Sequence, residues 1–333
     1  MKFIDFFAGI GGIRLGLEQS GHECVGFCEF DKFARQSYKA IHNTEGEWEN
    51  HDIRTVKPYE LPEADLWTFG FPCQDLSIAG KQKGLQAGER SGLFYEIMRL
   101  LAGRRQEDRP QWLLVENVKN LLSIGNGFDF ARLLCEVGVY GYSLQWDTLN
   151  SKNFGVPQNR ERVFIVGCLG NISGREVFPL RGADEQNPCK LQELTSGQAQ
   201  ALRCYDPVGG VSRCLNSGAG GMGAKTGLYV INACKDGRNI KTLKANYNVR
   251  IRKLTPKECW RLQGFPDVYF DKAKAAGVSD SQLYKQAGNA VTVNVASAIG
   301  EKLKEIEEKA NEKVIEKYLC TSKLPPTSEK GRL

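Results

Sequence analysis

What the chain has little of narrows its function first. Only three histidines occur, His22, His42 and His51, and none stands in an HxxxH or HExxH arrangement, so no metal is expected. The eleven cysteines are an odd number without regular spacing, and the close pair Cys24 and Cys28 is separated by three residues, not two. Neither a disulfide framework nor a CxxC pair follows from such a pattern. No run approaches the roughly 18 apolar residues of a membrane span, and MKFIDFFAGIGG lacks a secretory cleavage pattern. A cytoplasmic protein with no membrane partner is therefore expected. No internal repeat breaks the chain into equivalent units.

What is present suits a globular enzyme. In 333 residues, 41% hydrophobic and 25% charged, there is enough apolar material for one large domain and a smaller one. A formal net charge of +6 permits a polyanionic partner without demanding one. Its distribution says more. Lys81, Lys83 and Arg90 fall within one glycine-punctuated loop, and Arg160 and Arg162 bracket a second polar stretch.

Apolar runs alternate with helical patterns along the first half. Residues 3–7 read as a strand, followed by glycines at 9, 11, 12 and 16 and a helix carrying Ile13, Leu15 and Leu17. Strands over 24–28, 66–69, 112–115 and 163–168 alternate with helices over 32–41, 93–101 and 128–137. Repeated β-α alternation predicts a doubly wound sheet that binds ligands at its strands' carboxyl ends. Cys73 and Glu116 each fall just beyond such an end in this reading. After 168 glycines crowd from 209 to 227 and helices become scarce, which predicts a smaller β- and loop-rich domain starting near 180. Helical character returns over 255–262, with Pro256 suited to a first turn, and from 291 to about 317. Residues 318–333 read as a frayed tail.

Pro72-Cys73-Gln74 is the sharpest chemical signal. A free cysteine is ordinarily inert packing. Cys73 instead follows Phe69-Gly70-Phe71 at the mouth of a strand, has proline before it, and leads into Gln74, Asp75 and Ser77. Those surroundings suit a nucleophile. Gly9-Ile10-Gly11-Gly12 matches only half of a GxGxxG fingerprint, because Arg14 occupies the third glycine's place. A nucleoside cofactor without a pyrophosphate fits better than a dinucleotide. Glu29, directly after the second strand, is placed for ribose hydroxyls, and Asp52-Ile53 for an adenine amino group and ring. Glu116-Asn117-Val118 after WLLV carries a carboxylate where only a cleft would accept one. Gln158-Asn159-Arg160-Glu161-Arg162 stands just before a strand, where its arginines either orient that carboxylate, hold phosphate, or form surface ion pairs.

The order DFFAGIGG, Glu29, Asp52, GFPCQDLS, ENV, QNRER, RKLTPKECWRLQGFP and YKQAGNAV resembles the cytosine-5 DNA methyltransferase family of bacteria and their phages, restriction–modification type. The likeness covers residues 2 to about 170 and 250 to about 300, in the family's motif order. It implies an α/β, doubly wound, Rossmann-like S-adenosylmethionine-dependent methyltransferase domain with a smaller β/loop-rich target-recognition domain. The catalytic, cofactor-binding domain would be discontinuous, 1–178 and 282–333, with 179–281 as target-recognition domain and hinge. Cys73 would add as a thiolate to carbon-6 of cytosine, making carbon-5 nucleophilic toward the methyl group of S-adenosylmethionine. Glu116 would contact N3 and the exocyclic amine, Arg162 would hold the base and Glu116 in register, and Arg160 would assist with the base or its phosphate.

For S-adenosylmethionine, or its product S-adenosylhomocysteine, similarity assigns Phe7, Gly9 and Gly11 to the methionine end. Glu29 goes to ribose, Phe30, Asp52 and Ile53 to adenine, and Pro72, Leu93, Asn289 and Val291 to the remaining wall. Phe30 replaces a tryptophan frequent at its position, with less stacking area. Double-stranded DNA is the implied substrate, its target base extruded from the helix. Gln74, Ser77, Lys81, Lys83, Arg90, Arg213 and Lys225 are the expected DNA contacts. Where many members carry threonine-leucine, this chain offers Cys214-Leu215. A monomer is expected, with a functionally paired restriction endonuclease as a further partner.

Other classes fit less well. Zinc-dependent cytidine deaminases need HxE and PCxxC, but Cys73 is followed by Gln74-Asp75-Leu76. Amino-directed DNA methyltransferases carry a different tetrapeptide from GFPCQ. A transfer-RNA cytosine-5 methyltransferase shares the chemistry, but its Cys-Phe-Thr segment has no counterpart here. A catalytically inactive DNA-binding relative is disfavoured by the joint presence of Cys73, Glu116 and Arg162.

Overall fold

The computed structural model describes residues 1–71, 92–171, 173–182, 204–205, 212, 214–215, 228–231 and 250–321. Seven strands form the central sheet: β1 (Lys2–Phe6), β2 (Glu23–Cys28), β3 (Trp48–Asn50), β4 (Leu66–Phe69), β5 (Trp112–Val118), β6 (Tyr142–Asn150) and β7 (Glu161–Leu169). Their order is β3-β2-β1-β4-β5-β7-β6. The first five are parallel to their neighbours, and β7 runs antiparallel to both β5 and β6. The order reverses between β1 and β4, so the ligand crevice of such a sheet falls at their carboxyl ends. The glycine turn leaves β1 there, and Gly70-Phe71 leaves β4 there.

The strands form because their apolar residues have two faces to bury. In β1, β4 and β5, Ile4, Phe6, Trp67, Phe69, Leu113 and Val115 meet α3 (Leu93–Ala102) and α4 (Phe128–Gly138) through Phe94, Ile97, Leu101, Phe130 and Leu133. The alternate residues Phe3, Leu66, Trp112 and Leu114 meet α1 (Gly12–Gln19) and α8 (Val293–Thr321) through Ile13, Leu17, Val295, Ile299 and Leu303. This is the period-2 alternation of a sheet covered on both sides, and each buried aliphatic or aromatic side chain contributes about 1.5–3 kcal/mol. Helix α8 lies against α1 at small residues. A Cβ on Gly16 would stand 2.6 Å from that of Ala296, so only glycine permits the approach.

α2 (Lys32–Ile41), capped by Asp31, completes the second βα unit. Late in the chain come α5 (Pro256–Arg261), α6 (Asp267–Ala275) and α7 (Asp280–Asn289). Pro256 stands in the first turn of α5, as the sequence suggests, and Thr255 and Glu258 form a capping box around it. Helices α6 and α7, whose N-cap residues Pro266 and Ser279 make no side-chain cap bond, were not expected. Trp260 of α5, Phe265 in the loop after it, Phe270 of α6 and Leu283 of α7 share a core with Ile10, Leu15 and Ile41 beside the glycine turn. Residues 256–281, expected to belong with the recognition part and hinge, thus pack beside the glycine turn and α2. A separate sheet of β8 (Cys204–Tyr205), β9 (Leu228–Ile231) and β10 (Arg250–Arg252) has order β10-β9-β8.

Two sequence expectations need correction. Glu116 does not follow the strand, because β5 continues through Glu116 and Asn117 to Val118, held by its antiparallel ladder with β7. Glu161 and Arg162 do not precede a strand but begin β7. Both strands are longer because each supplies the other's backbone partners.

Candidate active site

Two groups of side chains meet the crevice. The first is built around the glycine turn. Phe7 has φ 55° and Gly9 φ 59°, so the chain leaves β1 through alternate residues in the left-handed region. The Gly9 N–H donates to Glu29 Oε2 at 2.8 Å, and the Asp31 N–H donates to Glu29 Oε1 at 2.7 Å. Burial raises the Glu29 carboxyl above its ordinary range, and the two N–H bonds oppose the rise. At Gly9 an added Cβ would meet no atom within 4 Å. The backbone there faces open space beside a carboxylate that keeps spare lone pairs.

Gly11 differs from Gly9. Its N–H donates to the Ala8 carbonyl at 2.8 Å, and a Cβ would stand 2.2 Å from His42 Nε2. It shapes the turn and packs against the core, away from the open side. His42 supports the same turn, its Nε2–H donating to the Ile10 carbonyl at 3.2 Å. Burial, then the Arg14 charge, pushes His42 down to about 3, so the ring is neutral. Arg14, in the missing glycine's place, is buried and forms ion pairs with Glu47 and Glu18 at 2.7 and 2.8 Å.

Phe30 is 69% exposed beside Glu29, with the Arg54 guanidinium 5.7 Å from its ring centroid. Asp52 holds Arg54 through Nε at 2.9 Å and Nη2 at 2.7 Å, and those hydrogen bonds draw its carboxyl below the usual range. Ile53 is buried and Leu93, at the start of α3, half-buried against the same core. From the far end of the chain, Asn289 is exposed at the end of α7. The Val291 carbonyl lies 2.2 Å from where a Gly12 Cβ would sit.

The second group lies across β5 and β7. Register sets Glu116 opposite Phe164 and Val118 opposite Arg162, which places Glu116 and Arg162 diagonally on one face. Arg162 Nε meets Glu116 Oε1 at 3.2 Å, with side chains 17% and 13% exposed. The other carboxylate oxygen, Oε2, lies 3.3 Å from where a Gly70 Cβ would be. Asn117 Nδ2 donates to the Phe71 carbonyl at 3.3 Å, tying the exit of β4 to this pair. Cys73 is two residues further on.

Arg160 is placed otherwise than the sequence suggests. It is 2% exposed, and its guanidinium donates to the carbonyls of Leu215 at 3.0 Å, Gly288 at 3.2 and 3.3 Å, and Ala290 at 2.9 Å. These bonds turn it away from any base or phosphate. Gln158, two residues earlier on the same side, donates to the Leu262 carbonyl at 2.7 Å and accepts from the Leu215 N–H at 3.0 Å. Gln158 and Arg160 together grip both polar groups of the Leu215 backbone. The spacing of QNRER, with every second residue on one side, is the signal that could have revealed this. Pro72, Cys73, Gln74, Ser77, Lys81, Lys83, Arg90, Arg213 and Lys225 lie outside the described residues.

A model of the C-5 cytosine-specific DNA methylase family matches residues 1–201 and 212–305. The type II methyltransferase M.NlaX of Neisseria lactamica is 36% identical over 316 residues, covering 91% of this chain and 96% of that protein. The type II methyltransferase M.HhaI of Haemophilus parahaemolyticus is 32% identical, covering 90% and 93%. Among solved structures, S. pombe Dnmt2 methyltransferase superposes with TM-score 0.67 at 20% identity, covering 92% of this chain and 98% of that one. At that identity the likeness concerns the fold.

Proposed function

Because this chain belongs to the C-5 cytosine-specific DNA methylase family, we propose that it methylates carbon-5 of a cytosine turned out of duplex DNA, with Cys73 as nucleophile and S-adenosylmethionine as methyl donor. The observation that carries the reading is the half-buried Glu116–Arg162 pair at the mouth of β4. Asn117 fixes Phe71, two residues before Cys73 in the sequence, beside it.

The cofactor fits the glycine turn on a structural ground: Gly9 presents backbone to open space next to Glu29. Glu29 would take ribose hydroxyls, Phe30 and Ile53 would flank adenine, and Phe7, Leu93, Asn289 and Val291 would line the rest. Asp52 reaches adenine only with Arg54 in tow, since the two are bonded. When bound, S-adenosylmethionine supplies an electrophilic methyl group. The protein's own residues prepare its acceptor. The Cys73 thiolate forms a bond to carbon-6, and the electron pair of the carbon-5 to carbon-6 double bond becomes available at carbon-5. Glu116, oriented by Arg162, hydrogen-bonds N3 and the exocyclic amine, where negative charge accumulates. Once carbon-5 carries the methyl group, its proton passes to a base such as water, the C–H electron pair re-forms the carbon-5 to carbon-6 double bond, and the Cys73 thiolate leaves. Residues from about 180 to 250 would supply target recognition, with Arg213 and Lys225 on DNA and Gln74, Ser77, Lys81, Lys83 and Arg90 closing over it. The type II naming of its relatives supports a paired restriction endonuclease.

The test is radiolabelled methyl transfer to duplex DNA. Wild-type protein is expected to label DNA, and Cys73→Ala to bind cofactor without labelling it. Normal turnover by that variant would sink the nucleophile assignment.

A further inference from the structure

Cys214 has no part in the chemistry above, yet it lies against it. Its sulfur is 3.6 Å from Arg160 Nη1 and 3.9 Å from Arg162 Nη2, and Arg162 is the partner of Glu116. Its own S–H points at the Leu215 carbonyl, 3.4 Å away. The guanidiniums of Arg160, just before β7, and Arg162, within it, would otherwise repel each other, and a soft, polarisable sulfur between them is their shared acceptor. The arrangement is fixed from behind. Arg160 and Gln158 hold Leu215 by its carbonyl and N–H, and Leu215 is fully buried, so the sulfur cannot drift from Arg162 without breaking that grip.

We propose that Cys214 is a positioning residue for methyl transfer, holding Arg162 so that Glu116 faces the target base and linking the recognition segment at 212–215 to the base-binding pair. The inference rests on the function proposed above. Arg162 has its Nε on Glu116 and one Nη on the Glu161 carbonyl, which leaves the second Nη to Cys214. All three arms of the guanidinium are thereby fixed, one of them by the recognition segment. Burial works to raise the Cys214 thiol, but the charges of Arg160 and Arg162 outweigh it and bring it below the ordinary thiol range.

Two measurements test this. Iodoacetamide alkylation of the peptide carrying Cys214, followed by mass spectrometry across pH, reads the contact without reference to activity. In wild-type protein the reaction midpoint is expected below that of a free thiol, and in Arg162→Gln it moves up. An unmoved midpoint overturns the contact. Steady-state kinetics reads the consequence: in Cys214→Ala, kcat is expected to fall about tenfold while KM for DNA stays within about twofold. Cys214→Thr, which keeps an acceptor on Cβ, is expected to recover most of the loss. Unchanged kcat in Cys214→Ala, or a loss that Cys214→Thr does not recover, overturns the positioning role. A wild-type enzyme that transfers no methyl group overturns the proposed function and the catalytic consequence with it, and the alkylation result still decides the contact.

Discussion

Replacing Arg160 by methionine separates a residue that touches the base from one that holds the site together. The side chain is 2% exposed and its guanidinium serves three carbonyls, those of Leu215, Gly288 and Ala290. Gly288 lies in the last turn of α7, where carbonyls lack partners within the helix and a cation is favourable. Methionine fills similar volume and offers no donor. Each buried carbonyl left unpaired costs about 1–3 kcal/mol. Breaking a buried charged network typically costs about 3–5 kcal/mol in all, and that is the destabilisation expected for Arg160→Met. Equilibrium urea unfolding reads it as a lower midpoint at unchanged slope. Methyl transfer, measured at a temperature where the variant is folded, is expected to fall through looser recognition and cofactor segments. Lysine, with a single ammonium in place of the fork, should recover only part of the stability. The reasoning is refuted if Arg160→Met unfolds within about 0.5 kcal/mol of wild type, the range typical of surface changes, whatever happens to activity.

Three further outcomes follow from the same geometry. Glu116→Ala is expected to lower kcat by about 10²–10⁴, the usual contribution of a positioned acid or base, with cofactor affinity unchanged by calorimetry. Gly12→Ala sets a Cβ against the Val291 carbonyl, which is backbone and cannot swing away, so it should cost about 1–3 kcal/mol and weaken cofactor binding measured by calorimetry. Asp5 is buried in β1 with Oδ2 unpartnered, and burial pushes its carboxyl up to about 8 against a Thr68 hydrogen bond. A raised folded value means stability is complete below the unfolded value of 3.8 and is lost as pH rises toward 8. Neutral His42 works in the opposite direction, but only below its unfolded value of 6.5. Above that, wild type should lose up to about 1.4 kcal/mol per pH unit through Asp5, and Asp5→Asn, followed by urea unfolding from pH 6.5 to 8, should lose less.

Much of this was legible in the residues, for reasons that differ by element. Strands β1, β4 and β5 are buried on both faces and read as plain apolar runs, and α2 matches its expected span because Asp31 caps it and its apolar stripe has one period. β6 was missed although Tyr142, Leu144 and Trp146 alternate with Ser143, Gln145 and Asp147, a half-buried pattern easily taken for a polar loop. β3 has three residues and no room for a pattern. Glu116 and Arg162 were recognisable as residues, but their pairing follows from an antiparallel register that no local signal encodes. Arg160 was read as a base or phosphate contact because arginine beside a polar turn usually faces solvent. Its carbonyl partners lie 55 to 130 positions away along the chain. Cys214 was noticed as a substitution for threonine, but its two arginines, one just before β7 and one in it, lie 52 to 54 positions earlier.

The central claim is that carbon-5 of cytosine in duplex DNA is methylated through Cys73. Nucleoside mass spectrometry of plasmid DNA incubated with purified protein and S-adenosylmethionine tests it most directly, because it identifies the modified base. The account predicts 5-methyldeoxycytidine with wild-type protein and none with Cys73→Ala. A different methylated nucleoside, or 5-methyldeoxycytidine from the Cys73→Ala protein, would contradict it.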